Sequence, residues 1–579
     1  MASLDGGALF VRTLERAGIR TLFTLHGGHL DAIYQAALDA GIRLVDTRHE
    51  QAAGHAADGW ARVTGETGVA IVTAGPGLTD CVTAITNAWL DCVPTLFVGG
   101  AAPLRDAECL PLQGGFDQLA LVTPITKWAH RATHTHRIPD LLAQALRIAR
   151  SGRPGPVYLE LPIDVLFSRG DSGAVRIPEK IVPDAAPAPS PASVERAIAW
   201  LHAAERPAIV VGGGARFADA APELVAFAER TGIPVFTNGR AHGMIPADHP
   251  LCGRGLPHLA FAGGAAGADV VLVLGARLGL FTGHPARPLI PPSAKLIQVD
   301  ISAEEIGRNR EVDLGIVADC REALRAFDAA ACERRWAERR AWQDAVRAVR
   351  EGHRLLFAKA LASTSAPIHP YRLVAEIAKV LPRDSIVAAD GGETASWMEM
   401  VAEVHGPGRW LSHGYLGCLG TGLPFALAAK VARPESAVLC IVGDGSVGLN
   451  FAEFDTFVRH GLPIVTVVNN DRQWGMSAHG QELLFGPDRR VVTDLAPTRY
   501  DLAAAGFGCH AEHVEEPAEI AGALERAFAS GKPACVNVMT DPSVIAPITR
   551  AMVGAAKPAA DKAARDGGGV RIPYYEDLA

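Results

Sequence analysis

The ten cysteines of this 579-residue chain include no Cys-x-x-Cys pair, which removes the common zinc and dithiol signatures. Cys418, Cys440 and Cys535 sit among apolar residues or glycines, so buried, reduced thiols and a cytoplasmic setting are expected. No strongly basic stretch offsets the formal net charge of -8, and no nucleic-acid partner is expected. No apolar run reaches the ~18–20 residues of a membrane span. Met1 to Asp5 shows no basic flank leading into an apolar core, so neither a membrane protein nor a signal peptide is expected. The Walker sequence of phosphate-binding loops is missing, which argues against a nucleotide triphosphatase. No short-period repeat is present.

What remains is an ordinary globular composition, 49% apolar and 20% charged, in a chain long enough for about three domains. Short β-branched runs alternate with Ala/Leu-rich stretches, the pattern of parallel sheets with crossover helices. The first block places strands at 21–25, 43–47, 68–73, 95–98 and 157–161. A Pro/Ala-rich linker at 182–191 leads to a second block with strands at 208–211, 270–274 and 296–299. A charged helix is expected over 332–354 and a second linker over 362–370, before strands at 386–389, 438–442, 464–468 and 535–539. The expected architecture is three doubly wound α/β domains, 1–181, 192–345 and 366–555, with a tail at 556–579. The first and third blocks are similar in length and layout.

The most specific local signal is Gly443-Asp444-Gly445-Ser446 after one strand, answered by Asn469-Asn470 at the end of the next. In a parallel sheet both lie at the carboxyl edge, where ligands bind. The glycines allow the backbone close to a phosphate. Asp444 and Asn470 offer hard oxygens of the kind magnesium shares with phosphate. Alone, Gly-Asp-Gly is a tight turn and Asn-Asn a strand end; 26 residues apart, one strand–helix–strand unit, they read as a site.

This pairing resembles the motif of thiamine-diphosphate enzymes, a superfamily that includes acetolactate synthase, pyruvate decarboxylase, benzaldehyde lyase and oxalyl-CoA decarboxylase. The resemblance implies Mg2+ held by Asp444, Asn470 and the main-chain carbonyl of Arg472, with Gly443, Gly445 and Ser446 around the diphosphate. Gly391 and Gly392, within Asp390-Gly391-Gly392-Glu393-Thr394, would flank it. The segment His49-Glu50-Gln51-Ala52-Ala53, followed by Thr73-Ala74-Gly75-Pro76-Gly77, is similar to the part that carries the cofactor-activating glutamate. That role falls to Glu50, whose carboxyl would face the pyrimidine ring, with Gly75 in the same pyrimidine-binding block. Gly414 to Gly420 resembles the segment that holds the cofactor bent, Leu419 being the apolar wedge. The resemblance further implies a homodimer or homotetramer, each cofactor shared between two copies, with pyrimidine-binding, central and diphosphate-binding domains.

Within the superfamily, the order of motifs over about 5–545 is that of the acetolactate-synthase-like branch and is more similar still to 2-hydroxyacyl-CoA lyases. The residues that carry this are Gly27-Gly28-His29, Phe116-Asp117-Gln118-Leu119, the run from Glu160 to Leu166 and that from Phe454 to His460. The implied reaction converts a 2-hydroxyacyl-CoA into an aldehyde or ketone plus formyl-CoA, or the reverse. It needs a base or polar relay near the hydroxyl, for which His29 and His26 are candidates. Gln113 and Gln473 are candidate polar contacts and Phe116 and Trp474 candidate apolar walls. Arg409 is the candidate for a CoA phosphate, and Tyr574 and Tyr575 could pack on the substrate from a closing tail.

Two departures weaken a pyruvate-condensing assignment. The first loop reads Leu25-His26-Gly27-Gly28-His29 where acetolactate synthases have Tyr-Pro-Gly-Gly, and Leu112-Gln113-Gly114-Gly115 stands near their Phe-Gln-Glu triplet. An acetolactate-synthase-like carboligase acting on 2-oxo acids is the alternative, followed by another thiamine-dependent C–C lyase. A non-catalytic descendant would have no need of Glu50. In the central block, Gly212-Gly213-Gly214 and Gly275-Ala276-Arg277 follow strands without a convincing acidic ribose partner. FAD is not expected there; ADP, part of CoA or nothing is.

Overall fold

The computed structural model describes residues 3–171, 175–182, 185–264, 267–282 and 289–554. Among these, three six-stranded sheets account for nearly all the strand structure, and every pairing within them is parallel. The first runs Arg43–Asp46, Thr21–Thr24, Gly68–Val72, Thr95–Ala101, Val157–Pro162, Ala129–Arg131. The third runs Trp410–Ser412, Ile386–Asp390, Val438–Gly443, Val465–Asn470, Ala534–Met539, His510–Val514. Numbered within each sheet, both have the order 2-1-3-4-6-5, so the similarity of layout expected from sequence extends to topology. The central sheet runs Cys252–Gly255, Val235–Thr237, Pro207–Val211, Val270–Leu274, Lys295–Asp300, Leu314–Val317, an order of 3-2-1-4-5-6.

Most of the expected strands are those whose residues are buried on both faces; Arg43–Asp46, a sheet edge with only Val45 buried, is an exception. Val69, Ile71, Val98 and Leu159 belong to the first core, Ile441, Val467 and Val536 to the third. Within the three six-stranded sheets, five of the six unforeseen strands are edges. Leu314–Val317 alternates buried with exposed residues, and His510–Val514 is mostly half-exposed, so neither shows an apolar run. The charged helix expected over 332–354 starts later, as Arg340–Leu356, because the preceding helix Cys320–Cys332 ends and the chain straightens between them.

Contacts partition the chain into two compact units. One comprises Met1–Ala186, His413–Glu435 and Asn450–Leu462; the other holds the central and third sheets. In the first unit, the helix Glu50–Thr64 is built of small residues because it is crowded on two sides. A side chain at Gly54 would meet Ala84 and Cys81, and one at Gly59 would meet Phe425 and Ala428 on the helix Gly422–Ala432. Along this helix Arg62 is buried between Asp58 (2.6 Å) and Asp91 (2.8 Å). No described helix is long and apolar enough to cross a membrane.

Candidate functional site

In both outer sheets the strand order reverses between the first and third strands, which leaves a crevice at the carboxyl edge there. The sequence motifs fall on these two crevices, one in each compact unit.

In the third sheet, Gly443 ends its strand and Asp444 opens the short helix Asp444–Leu449. Asp444 is buried; Oδ1 accepts the Gly445 N–H at 2.9 Å, while Oδ2 has no hydrogen-bonding partner among the described residues. Burial, with Asp471 beside it, holds its carboxyl well above the usual carboxylate range, and burial raises Asp471 as well. Two carboxyls that resist ionising together would be stabilised as anions by a divalent cation between them and a phosphate. Asn470 ends the next strand with its side chain fully buried; Oδ1 accepts the Arg472 N–H at 3.3 Å. Arg472 adopts φ +59°, and its carbonyl accepts the Leu495 N–H at 2.8 Å, leaving the second lone pair of that oxygen. A carboxylate, an amide oxygen and a carbonyl form an all-oxygen set that fits magnesium.

Around this set stand glycines from two strand-to-helix junctions, Gly391-Gly392 and Gly443 with Gly445. Gly391 has φ +99°, a conformation only glycine takes without strain, and a side chain there would approach Ser446 Oγ at 3.3 Å. Gly392 opens the helix Gly392–Val401. Asn469 donates to Thr394 Oγ1 at 3.0 Å and leaves its own buried oxygen unpartnered among the described residues. The residues present therefore fit a diphosphate with its metal ion.

Other expected contacts are already engaged here. The Trp474 ring lies against Gly445, where a Cβ would come within 2.6 Å of it. Gln473 is buried, donating to Asp471 (3.1 Å) and the Pro542 carbonyl (2.8 Å) and accepting from Arg490 (2.6 Å). Arg409 precedes the strand Trp410–Ser412, at the amino edge of the sheet, with its guanidinium on the Asp384 carbonyl. The structure does not bring it to the Asp444 crevice. Tyr574 and Tyr575 lie outside the described residues.

In the first sheet, Glu50 is the first residue of its helix, capped by His49, and is 8% exposed. Burial, reinforced by Asp80, raises its pKa. The turn before it is tied down: Asp46 pairs with Arg459 (2.6 Å) and His460 (3.0 Å), and Glu453 accepts the Arg48 N–H at 3.0 Å. Glu453 is itself buried and pushed up to about 7. His29 sits in a single 3-10 turn across the crevice from Thr73, Nδ1 to Oγ1 3.3 Å; burial lowers its pKa, favouring the neutral ring. His26 is exposed, paired with Asp31 at 3.1 Å and stacked on Tyr34. Gln113, at φ +58°, packs against Gly75, and Phe116 is 45% exposed. Leu419 is half-buried in a loop held by Asp91, which accepts the Tyr415 N–H at 3.1 Å, and by Asn450, which donates to Gly420 O at 2.6 Å.

Gln118 and Glu160 stand within motifs quoted from the sequence, but neither was assigned a place in the site. Gln118 accepts the Gly75 N–H at 2.8 Å and donates to Gly100 O and Glu160, both at 3.0 Å; Glu160 also pairs with Arg131. Glu393 and His479 were likewise unassigned; they are buried and 2.8 Å apart, with Glu393 additionally accepting from Thr549 and the Ala546 N–H. Gln118, Glu160 and Glu393 stood in quoted motifs; for His479 no such signal was available.

Three family models match the chain. They are those of the thiamine pyrophosphate enzyme N-terminal TPP binding domain over 4–121, the central domain over 194–327, and the C-terminal TPP binding domain over 390–538. A probable acetolactate synthase of Mycobacterium bovis is 37% identical over 94% of this chain and 97% of its own. A probable acetolactate synthase large subunit of Methanocaldococcus jannaschii is 32% identical over 94% and 93%. The 2-hydroxyacyl-CoA lyase 2 of Homo sapiens is 33% identical over 92% and 90%. With the Asp444 and Glu50 crevices, these matches establish that the chain belongs to the thiamine-pyrophosphate-dependent enzymes.

Proposed function

We propose that this enzyme is a carbon–carbon lyase of 2-hydroxy carbonyl compounds, specifically of 2-hydroxyacyl-CoA. It would release an aldehyde or ketone and formyl-CoA, and run reversibly. The observation that carries this reading is His29, an imidazole held 3.3 Å from Thr73 at the crevice that Glu50's sheet opens, with burial favouring its neutral form. Cleavage requires the 2-hydroxyl proton to leave as the adjacent C–C bond breaks, and a proton to return to the acyl carbon. His29 can do both, and Thr73 fixes its ring. His26 and Gln113 would assist as polar contacts in the same loops.

Thiamine diphosphate, when bound, would supply the nucleophilic and electron-accepting chemistry that the substrate carbonyl needs. Asp444, Asn470 and the Arg472 carbonyl would hold Mg2+, with Gly391, Gly392, Gly443, Gly445 and Ser446 facing the diphosphate. Glu50, kept protonated to a higher pH than an exposed carboxyl, can share its proton with a ring nitrogen of the pyrimidine. Leu419 would provide the apolar support beneath the bend, and Gly75 the backbone beside the pyrimidine. A homodimer or homotetramer remains part of this reading.

The relatives named acetolactate synthase favour a second reading, carboligation of 2-oxo acids. Purified enzyme with thiamine diphosphate and Mg2+ is assayed on a 2-hydroxyacyl-CoA, a CoA-free 2-hydroxy ketone and pyruvate. Formyl-CoA from the first supports the proposal. Cleavage of the ketone alone keeps the lyase chemistry but removes CoA. Acetolactate from pyruvate alone overturns it.

A further inference from the structure

Asn470 can serve a cation only if its amide presents oxygen, not nitrogen, and the surroundings of its side chain decide which. Its Nδ2 donates to two oxygens, Thr498 O at 3.1 Å and Asn537 Oδ1 at 3.0 Å. The Thr498 carbonyl can only accept, so the nitrogen must point that way. Asn537 faces the same choice, since a flipped Asn537 would turn NH2 against NH2. Its own Nδ2 lies 3.4 Å from Asp501 Oδ1 and 3.3 Å from His513 Nδ1. Asp501 is a pure acceptor held by Arg499 at 2.6 and 2.9 Å. His513 Nε2 lies 3.2 Å from Glu515, another pure acceptor, so in the neutral ring the proton belongs on Nε2 and Nδ1 is left to accept. Asn470 and Asn537 are fully buried and Asp501 is 2% exposed, so water cannot substitute for a missing partner.

We propose that Asn537, polarised from behind by Asp501 and His513, is a positioning residue that locks the Asn470 amide with its oxygen toward the metal. The chain of bonds has one direction. Asp501 and His513 take both hydrogens of Asn537, Asn537 oxygen takes a hydrogen of Asn470, and Asn470 oxygen, which also accepts the Arg472 N–H at 3.3 Å, keeps its second lone pair for the cation. Partners of this kind typically alter metal affinity 10–100-fold when removed. The inference rests on the metal reading of Asp444 and Asn470 given above.

The test is Mn2+ binding to the full-length protein with thiamine diphosphate present, followed by electron paramagnetic resonance, with Mg2+ as competitor. Asn537→Leu removes the acceptor at similar volume and should weaken Mn2+ and Mg2+ about 10–100-fold, with turnover recovering at saturating Mg2+. Asn537→Asp combined with Asp501→Asn exchanges donor and acceptor across that contact, keeps an oxygen facing Asn470 and should retain affinity within a few-fold of wild type. Metal-rescued activity with that contrast is not what a merely structural residue would produce. If the leucine variant does not fold, Asn537→Ala removes the same acceptor and is read in the same way. Unchanged metal affinity in a folded Leu or Ala variant overturns the inference alone. A wild-type protein that binds neither ion overturns it together with the metal reading.

Discussion

At the scale of single residues, Glu50 and His29 carry opposite shifts from one cause, burial. A carboxyl whose pKa is raised in the folded state binds more protons there than when unfolded. Its contribution to stability therefore falls as pH rises past its unfolded value near 4.5. Glu50→Gln removes that cost while deleting the acid. Turnover should drop by at least about 10²-fold, while the melting temperature at pH 7 should equal or exceed that of wild type. A variant that is both stable and fully active would remove Glu50 from the chemistry. For His29, burial favours the neutral form, so it should remain a competent base below the ordinary histidine value near 6.5. The acid limb of kcat/KM should fall below that pH, and His29→Ala should abolish the limb while lowering kcat/KM about 10²–10⁴-fold. An acid limb that survives in the alanine variant would assign the proton transfer elsewhere.

At the scale of elements, the helix Glu50–Thr64 places the glutamate, and its crowding explains its composition. A side chain at Gly54 would begin 2.6 Å from Ala84 Cβ and 2.8 Å from Cys81 Sγ. Gly54→Val should therefore cost about 1–3 kcal/mol, read as a lower urea midpoint with an unchanged slope. It should also lower turnover, because the same helix carries Glu50. Unaltered stability would mean that these helices separate more easily than their contacts indicate. The strands at sheet centres were legible because continuous burial leaves uninterrupted Val, Ile and Leu. Edge strands such as Ala129–Arg131 and His510–Val514 were not, since one side of each faces no neighbouring strand and polar residues are tolerated there.

At the scale of the whole molecule, the two buried carboxyls Asp444 and Asp471 leave the ligand-free protein with an unsatisfied electrostatic cost. Ligands that bind only the folded state stabilise it by RT ln(1 + [L]/Kd), about 2.7 kcal/mol at a hundredfold excess over Kd. Mg2+ with thiamine diphosphate should thus raise the melting temperature by several degrees, more than either alone, and a chelator should reverse the gain. In Asp444→Asn that synergy should vanish. Equal stabilisation by the diphosphate with and without Mg2+ would separate the cofactor from the metal.

Three parallel-sheet domains were readable from sequence alone, because β-branched runs are a local pattern; Asp444, Asn470 and Glu50 could be singled out from short motifs and their resemblance to a family, and their roles are proposals. What residues far apart in the chain do together was not readable. Gln118 bridging Gly75, Gly100 and Glu160, and Asn537 setting the amide of Asn470 from 67 residues away, are decided by sheet topology. Strand order, which no periodicity encodes, chooses the neighbours of a buried polar group. Burial then requires each of those groups to be matched, donor to acceptor.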